Sequence, residues 1–423
     1  MLNIAKDKIY IISKKYGQRL GFDLPYFIKN GFWVFLRQGI GSICGLALSI
    51  AFARLATQEV FGQYQFVLSL LSIISILSIP GLNTAITQSV ARGYDGDYKK
   101  VVKISFLWSL LGIPTLLIIG GYYYIFQSHP LGIALMISSI FFPFFYAPNT
   151  WDAFLQGKSR FDISTKYSSI QAILNTLATV TIIFFSANNL IPIVVMYFIS
   201  YTFFNGCYYF RSLKYIENNR NDPNVYKFGN FLNKINILIL ISNNIDKVLI
   251  GVLISNEMLA VYTVISLIAM KIKGMSQPII NIFFPKLSQS DYSIKELFRK
   301  KKKIIIILII LNFALSLIFM LVSEKISYLF FGNNYSEYYY LSKYFSIMVF
   351  ISPFLFFLGI FAQAKKYTKL ILNINIFQNI SWIFLNIILI YRFGLFGAVL
   401  SINISYAVWF LLYLFFLRRN TTR

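Results

Sequence analysis

Acidic side chains, cysteine and histidine are scarce in this chain: 15 Asp and Glu stand against 39 Lys and Arg, with two cysteines and one histidine in 423 residues. Cys44 and Cys207 both fall inside apolar runs. A disulfide framework is therefore excluded, and a metal or redox site lacks the ligands it would need. His129 stands alone beside Pro130 in a loop and is read as incidental. No phosphate-binding glycine loop of the P-loop type occurs, so the chain does not itself hydrolyse ATP. Long polar segments are missing too, which leaves no room for a separate globular domain. No catalytic residue, no metal and no resident cofactor are expected.

What is abundant is apolar surface. Hydrophobic residues make up 57% of the chain and charged residues only 13%, far more apolar surface than a soluble core of this size buries. Uninterrupted runs of about twenty residues suit helices crossing a ~30 Å hydrocarbon layer, not the short alternating segments of a barrel. Runs bounded by charges, Pro or Gly predict spans at 31–53, 64–86, 102–126, 131–154, 166–186, 190–210, 231–253, 258–284, 304–322, 340–363, 370–391 and 395–417. The expected fold is thus all-α and polytopic, with about twelve transmembrane helices.

The basic excess sits in loops between these runs. Alternate loops place Arg92, Lys99, Lys100, Lys158, Arg160, Arg211, Lys286, Arg299–Lys303, Lys365 and Lys366 on the side of the amino terminus, and leave little beyond Arg54, Lys325, Lys343 and Arg392 opposite. Basic loops resist translocation, so both termini are expected in the cytoplasm, and the charge is a topology signal with no nucleic-acid partner implied. Residues 1–30 carry six bases without a long apolar core or cleavage site. They read as a retained extension, either a basic amphipathic helix on the anionic membrane surface or a solvated tail.

An internal repeat divides the chain. Glu59–Tyr64 resembles Glu257–Tyr262 at an offset of 198, and at the same offset Ser78 and Pro80 meet Ser276 and Pro278 while Asn83 meets Asn281. Gln156-Gly157-Lys158 recurs as Gln363-Ala364-Lys365. The division is an extension (1–30), a first six-helix lobe (31–210), a linker (211–230), a second lobe (231–417) and a tail (418–423). Two parallel lobes about a pseudo-two-fold axis enclose a cavity and alternate its access, which points to transport, and one chain suffices as a monomer. Pro80 and Pro278 predict equivalent kinks in spans two and eight.

Ionisable side chains at membrane depth mark function. Arg37, Lys247, Lys271 and Lys273 are the candidate cavity cations, and Asp152 and Asp246 the candidate charge partners or carriers of a proton or sodium ion. Asn236, Asn243, Tyr262 and Gln277 lie on the same helical stripes and are candidate sugar contacts. Fixed cations suit a diphosphate, while amides and hydroxyls suit sugar hydroxyls.

The stretches Phe52-Ala53-Arg54-Leu55, Glu59–Tyr64, Leu155–Phe161, Asn244–Gly251 and Phe284–Ser288 together resemble the Wzx-type O-antigen and polysaccharide repeat-unit flippases. That family sits within the multidrug/oligosaccharidyl-lipid/polysaccharide exporter superfamily. The resemblance runs from about Gly31 to the carboxyl end, with the longer basic extension as the departure. It implies a two-lobed twelve-helix fold in the bacterial inner membrane. Its implied cargo is an undecaprenyl-pyrophosphate-linked oligosaccharide, with membrane lipids, a polysaccharide polymerase and chain-length machinery as further partners. Two rivals stand beside it: a multidrug exporter of the same superfamily, whose cavity should be acidic, and an integral-membrane glycosyltransferase or polymerase, which wants interfacial acids or a large polar loop.

Overall fold

The computed structural model describes residues 24–281, 287 and 294–420. The expected surface helix of the extension, apart from residues 24–30, and the end of the tail lie outside the described residues. So does the motif Phe284–Ser288 except for Leu287. The described residues form helices and no strand, as a chain in lipid must satisfy its backbone within each segment.

Span one is Leu24–Leu55. Span two is interrupted: Gln58–Ile74 tightens into a 3-10 turn to Ser78, Ile79 takes a left-handed φ of 54°, and Pro80 leads into Gly81–Ala91. A β-branched residue at that φ is strained by roughly 1–2 kcal/mol, so surrounding packing must hold it. Span three joins Asp97–Ser109 to Gly112–Phe126, and span four runs from His129–Tyr146 into Trp151–Gly157. Spans five and six are Phe161–Phe185 and Leu190–Ser212. Span seven is bent by 44° between Val225–Ser242 and Ile245–Leu253. Span eight is Asn256–Asn281, span nine Lys302–Phe331, and span ten a 3-10 stretch, Asn333–Phe345, leading into Ser346–Ala364.

The last helical stretch, Thr368–Asn420, is two spans. Gly394 has φ 57° and ψ −135°, a backbone that suits glycine, and the chain reverses there. Ser401 Oγ donates to Asn386 Oδ1 at 2.9 Å and Trp409 Nε1 to Ser381 Oγ at 3.2 Å, the pairing of an antiparallel hairpin. Among the described residues ten helices are long and apolar enough to cross a membrane, and the bent pair adds an eleventh. Counting both arms of the hairpin, one of which is already among the ten, gives twelve.

The repeat predicted equivalent kinks at Pro80 and Pro278; span two breaks at Pro80, while the helix of span eight continues through position 278 to Asn281. The break in span two has its counterpart instead in span seven, against which it packs: Gly81 lies under the backbone of Gly229 and Asn233, and Asn233 Nδ2 donates to the Ile76 carbonyl at 3.2 Å. Polar partners from a neighbouring helix are what make an interrupted span tolerable in lipid.

The spans pack as two bundles. In the first, span three lies on four, four on six, and five on one and six; in the second, eight lies on ten, nine on ten, and seven on the terminal hairpin. Spans two and eight meet along the middle. Exposed Phe184, Phe185, Ile118 and Leu321 face outward, as lipid requires.

Candidate functional site

The two ends of the bundle differ. At the end away from Leu24 the bundles are joined by direct contacts, beside a cavity of about 740 Å³ walled by Arg54, Lys325 and Asn334. Phe52 stacks on Phe61 at 4.9 Å and touches Tyr64 at 4.5 Å, all three buried. Arg54, closing span one, donates from Nε to Phe330 O at 2.8 Å and from Nη2 to Leu329 O at 2.5 Å. It thereby caps the carbonyl end of span nine in the other bundle, where a cation meets the negative pole of the helix. Gln58 donates to the Asn334 carbonyl and Asn334 Nδ2 to Ala53 O at 3.3 Å. A Cβ at Gly62 would stand 1.6 Å from the carbonyl oxygen of Asn256, so the bundles meet backbone to backbone.

At the end that carries Leu24, polar cavities open. One of about 340 Å³ is walled by Arg37, Gln38, Asp152, Gln156, Ser164 and Thr165. Arg37 Nη1 donates to both oxygens of Asp152, at 2.8 and 2.9 Å, and to Ser164 Oγ at 3.2 Å. Gln156 and Ser164 also donate to Asp152. Among the described residues the other guanidinium nitrogens of Arg37 make no hydrogen bond, and its side chain is 37% exposed. Asp152 and Gln156 belong also to a second cavity, of about 540 Å³, along Asn83, Thr87 and Gln88 of span two.

A third cavity, of about 450 Å³, lies within the second bundle. Lys273 and Gln277 of span eight face Gln363, Asn375, Gln378 and Trp409 there. Lys273 Nζ stands 5.3 Å over the Tyr406 ring, and none of the cavity's residues is a carboxylate. Lys271, two residues away, points elsewhere: its Nζ lies 3.2 Å from where a Cβ of Gly45 in span one would be. Two residues turn a helix by ~200°, so the two lysines serve opposite sides of span eight.

The remaining candidates divide. Asp246 is buried, its Oδ2 accepting from the Tyr262 hydroxyl at 2.6 Å and its Oδ1 unpartnered among the described residues. Tyr262 is therefore a buried partner of a carboxylate, not part of a cavity wall. Lys247 is half-buried beside Asp246, Asn236 is half-buried, and Asn243 is exposed at the bend of span seven. Neither asparagine lines any of these cavities.

Sequence reasoning missed Gln378, Asn375 and Trp409. A polar stripe was available, since Asn375, Gln378, Ser381 and Asn386 recur at helical spacing, but in a chain with 18% aromatic residues the tryptophan gave no signal. It also missed Asp95 and Asp97. Asp95 is buried and accepts from Lys158 Nζ at 3.0 Å and from Glu217 N at 2.8 Å; Asp97 accepts from Ser89 and from Asp222 N at 2.9 Å. Burial opposes the Lys158 charge, yet hydrogen bonds to the Glu217 and Asp95 carboxylates hold its pKa above the usual lysine value. Together these groups fasten the non-helical segment 216–224 between the bundles to the loop between spans two and three.

The two flanks at the open end are unequal. On one, span two and span seven touch through Gly81 and Gly229. On the other, a side chain placed on Gly31, Gly39 or Gly41 of span one, or on Gly274 of span eight, would meet nothing within 4 Å among the described residues. Spans one and eight do touch deeper in the bundle, where Lys271 reaches Gly45.

Residues 27–291 match the family described as polysaccharide biosynthesis protein, well over half of the chain. No curated protein matches in sequence. Among solved structures, the lipid II flippase MurJ in an inward closed conformation shares 14% identity, with 92% of this chain and 87% of that one covered at a TM-score of 0.70. An inward-facing multidrug resistance MATE transporter of the MOP superfamily shares 13%, with 92% and 99% covered at 0.68. A MOP-superfamily transporter from Pyrococcus furiosus, described as having a binding pocket of reverse polarity, shares 13%, with 93% and 95% covered at 0.60. At such identities the likeness is one of fold.

Proposed function

Because the chain belongs to the polysaccharide biosynthesis protein family and has the fold of the MOP-superfamily transporters, we propose that it is a flippase for undecaprenyl-pyrophosphate-linked oligosaccharide. The cargo moves from the cytoplasmic to the periplasmic leaflet of the bacterial inner membrane, and both termini are cytoplasmic.

The polar cavities beside Arg37 and Lys273, set within an apolar helical body, carry this reading. A lipid-linked cargo needs its head group in such a cavity while its chain stays among acyl tails. The cavities lie at the basic end, and the charge distribution favours the cytoplasm for that end. Arg37 and Lys271 then meet the diphosphate, Arg37 with its guanidinium nitrogens that make no hydrogen bond among the described residues, while Lys273, on the opposite side of span eight, takes a negative charge of the same cargo and Gln277 a sugar hydroxyl. Release to the other side requires the contacts at Arg54 and Gly62 to open as the cavities at the basic end close, the rocking of two bundles about a central site.

Energy enters at Asp246. A buried carboxylate with one unpartnered oxygen is costly to keep charged, and loading a proton there would relieve the cost. Proton binding on one side and release on the other would bias the rocking without a resident cofactor, and removal of the cargo by a polymerase would pull in the same direction.

Purified protein reconstituted in vesicles with fluorescent undecaprenyl-diphosphate-oligosaccharide provides the test. Protein-dependent exchange of the lipid between leaflets is expected, with loss of about tenfold or more in rate for Arg37→Ala and Lys273→Ala at unchanged protein level. Vesicles no faster than protein-free ones, yet exporting a cationic dye, would replace this reading by that of a multidrug exporter.

A further inference from the structure

The cavity inside the second bundle differs in chemistry from those beside Arg37. The cavity of Arg37 offers one compensated cation, the amides of Gln38 and Gln156, short hydroxyls and, among the described residues, no Trp or Tyr. The cavity of Lys273 is walled by Trp409, Tyr406 and four amides, Gln277, Gln363, Asn375 and Gln378, whose side chains make no protein hydrogen bond among the described residues. Amides carry donors and acceptors together, as sugar hydroxyls do, so each can pair either way with a hydroxyl. Indole and phenol faces carry negative charge from the ring quadrupole and attract the slightly positive C–H face of a pyranose. The platform is also rigid. The Trp409 indole N–H is held by Ser381 Oγ at 3.2 Å, and the ring is braced by Tyr406 at 5.2 Å and Trp382 at 5.9 Å. A braced aromatic loses little freedom when a ligand stacks on it. The volume of about 450 Å³ is that of a small-ligand site.

We propose that this cavity is a glycan subsite, in which a pyranose ring of the cargo stacks on Trp409, Gln378 and Asn375 bind its hydroxyls, and Lys273 takes one negative charge of the same ligand. The proposal rests on the cargo being a lipid-linked glycan and assigns its sugar to the second bundle. The charge met by Lys273 comes either from an acidic sugar or from the diphosphate. Among the described residues Lys273 has no carboxylate partner in the cavity, so an anion there is attracted without displacing any of them.

The test measures equilibrium binding to the full chain in detergent for four probes: bare undecaprenyl diphosphate, the same lipid bearing a neutral disaccharide, the same lipid bearing a uronate-containing disaccharide, and the free neutral disaccharide. Wild-type protein is expected to bind the sugar-bearing lipids about tenfold more tightly than the bare lipid. Trp409→Ala removes that advantage and leaves bare-lipid binding unchanged, and Trp409→Phe, which keeps an aromatic face, restores most of it. Lys273→Gln weakens the uronate lipid alone if the charge is the sugar's, and all three lipids if it is the diphosphate's. Equal binding of bare and sugar-bearing lipid by wild type overturns the subsite, as does a loss in Trp409→Ala that is the same for both. Failure of every lipid to bind wild type would overturn the flippase reading instead. The subsite is then decided by the free disaccharide, whose binding must depend on Trp409 for the subsite to stand and whose failure to bind sinks it.

Discussion

Arg37 commits one nitrogen to Asp152 and leaves the others open, so the ion pair is less a structural rivet than a place where two anions compete. A diphosphate entering the cavity gains the free donors and then contends with the carboxylate for Nη1. Asp152→Asn keeps the shape and the Gln156 and Ser164 neighbours but deletes the competing charge. Its expected outcome is a split: affinity for undecaprenyl diphosphate rises about tenfold while leaflet exchange slows, because nothing now displaces the cargo from Arg37. Equilibrium binding and exchange rates on the same preparation check it, and unchanged affinity would remove Asp152 from the cycle. At this scale the sequence was readable for which lysines of span eight to single out, Lys271 and Lys273 both being read as cavity cations; the ~200° between them then leaves Lys273 on the cavity and turns Lys271 toward span one. It was unreadable where a partner from far along the chain decides. Asp95 and Asp97 look like solvated loop acids until the segment 216–224 folds back over them.

Spans two and eight were located from apolar runs and a shared motif, yet their shapes diverge. Pro80 coincides with a break because Asn233 from span seven receives the interrupted backbone, whereas the helix of span eight runs on through position 278. Proline predicts where a helix is weak; a neighbour decides whether it yields. The motif Glu59–Tyr64 carries a feature whose use only packing reveals, the contact of Gly62 with Asn256. Gly62→Val should leave span two helical, since valine is the better helix former, but two branches must then occupy space already filled by a carbonyl. The end away from Leu24 then stays ajar. A cysteine at Gln58, beside these contacts, is expected to react with a membrane-impermeant thiol reagent added outside about tenfold faster in the Gly62→Val background, with transport lost and protein level kept. Labelling at the original rate would mean that this contact is not the gate.

Hydropathy made the molecule's plan readable because lipid leaves a chain few choices: each run of about twenty apolar residues becomes a helix, and the reversal at Gly394 falls between the runs 370–391 and 395–417, whereas the left-handed Ile79 in span two and the bend at Asn243–Asn244 needed the structure. The orientation follows from the same physics. Reporter fusions after Arg160, Asn221 and Lys366 are expected in the cytoplasm, and fusions after Ser128, Asn188 and Asn334 in the periplasm; two reversals would overturn the arrangement. The fastening of the segment 216–224 extends to how the protein can be made. Asp95 and Asp97 bind that segment through backbone N–H groups, so its path is held by contacts to the first bundle, independently of the peptide bond that precedes it. The covalent link that precedes the segment should then be dispensable. Fragments 1–215 and 216–423, between which the contacts of Asp95 to Glu217 N and of Asp97 to Asp222 N then run, are expected to copurify and to restore glycan export together when produced from separate genes. Removing the Asp97 carboxylate, at a loss of about 1–3 kcal/mol for an orphaned buried N–H, should harm the two-gene version far more than the intact chain. A protein that tolerates such a cut is one that could have arisen by joining two ancestral half-transporters, and its linker would be the scar of the fusion.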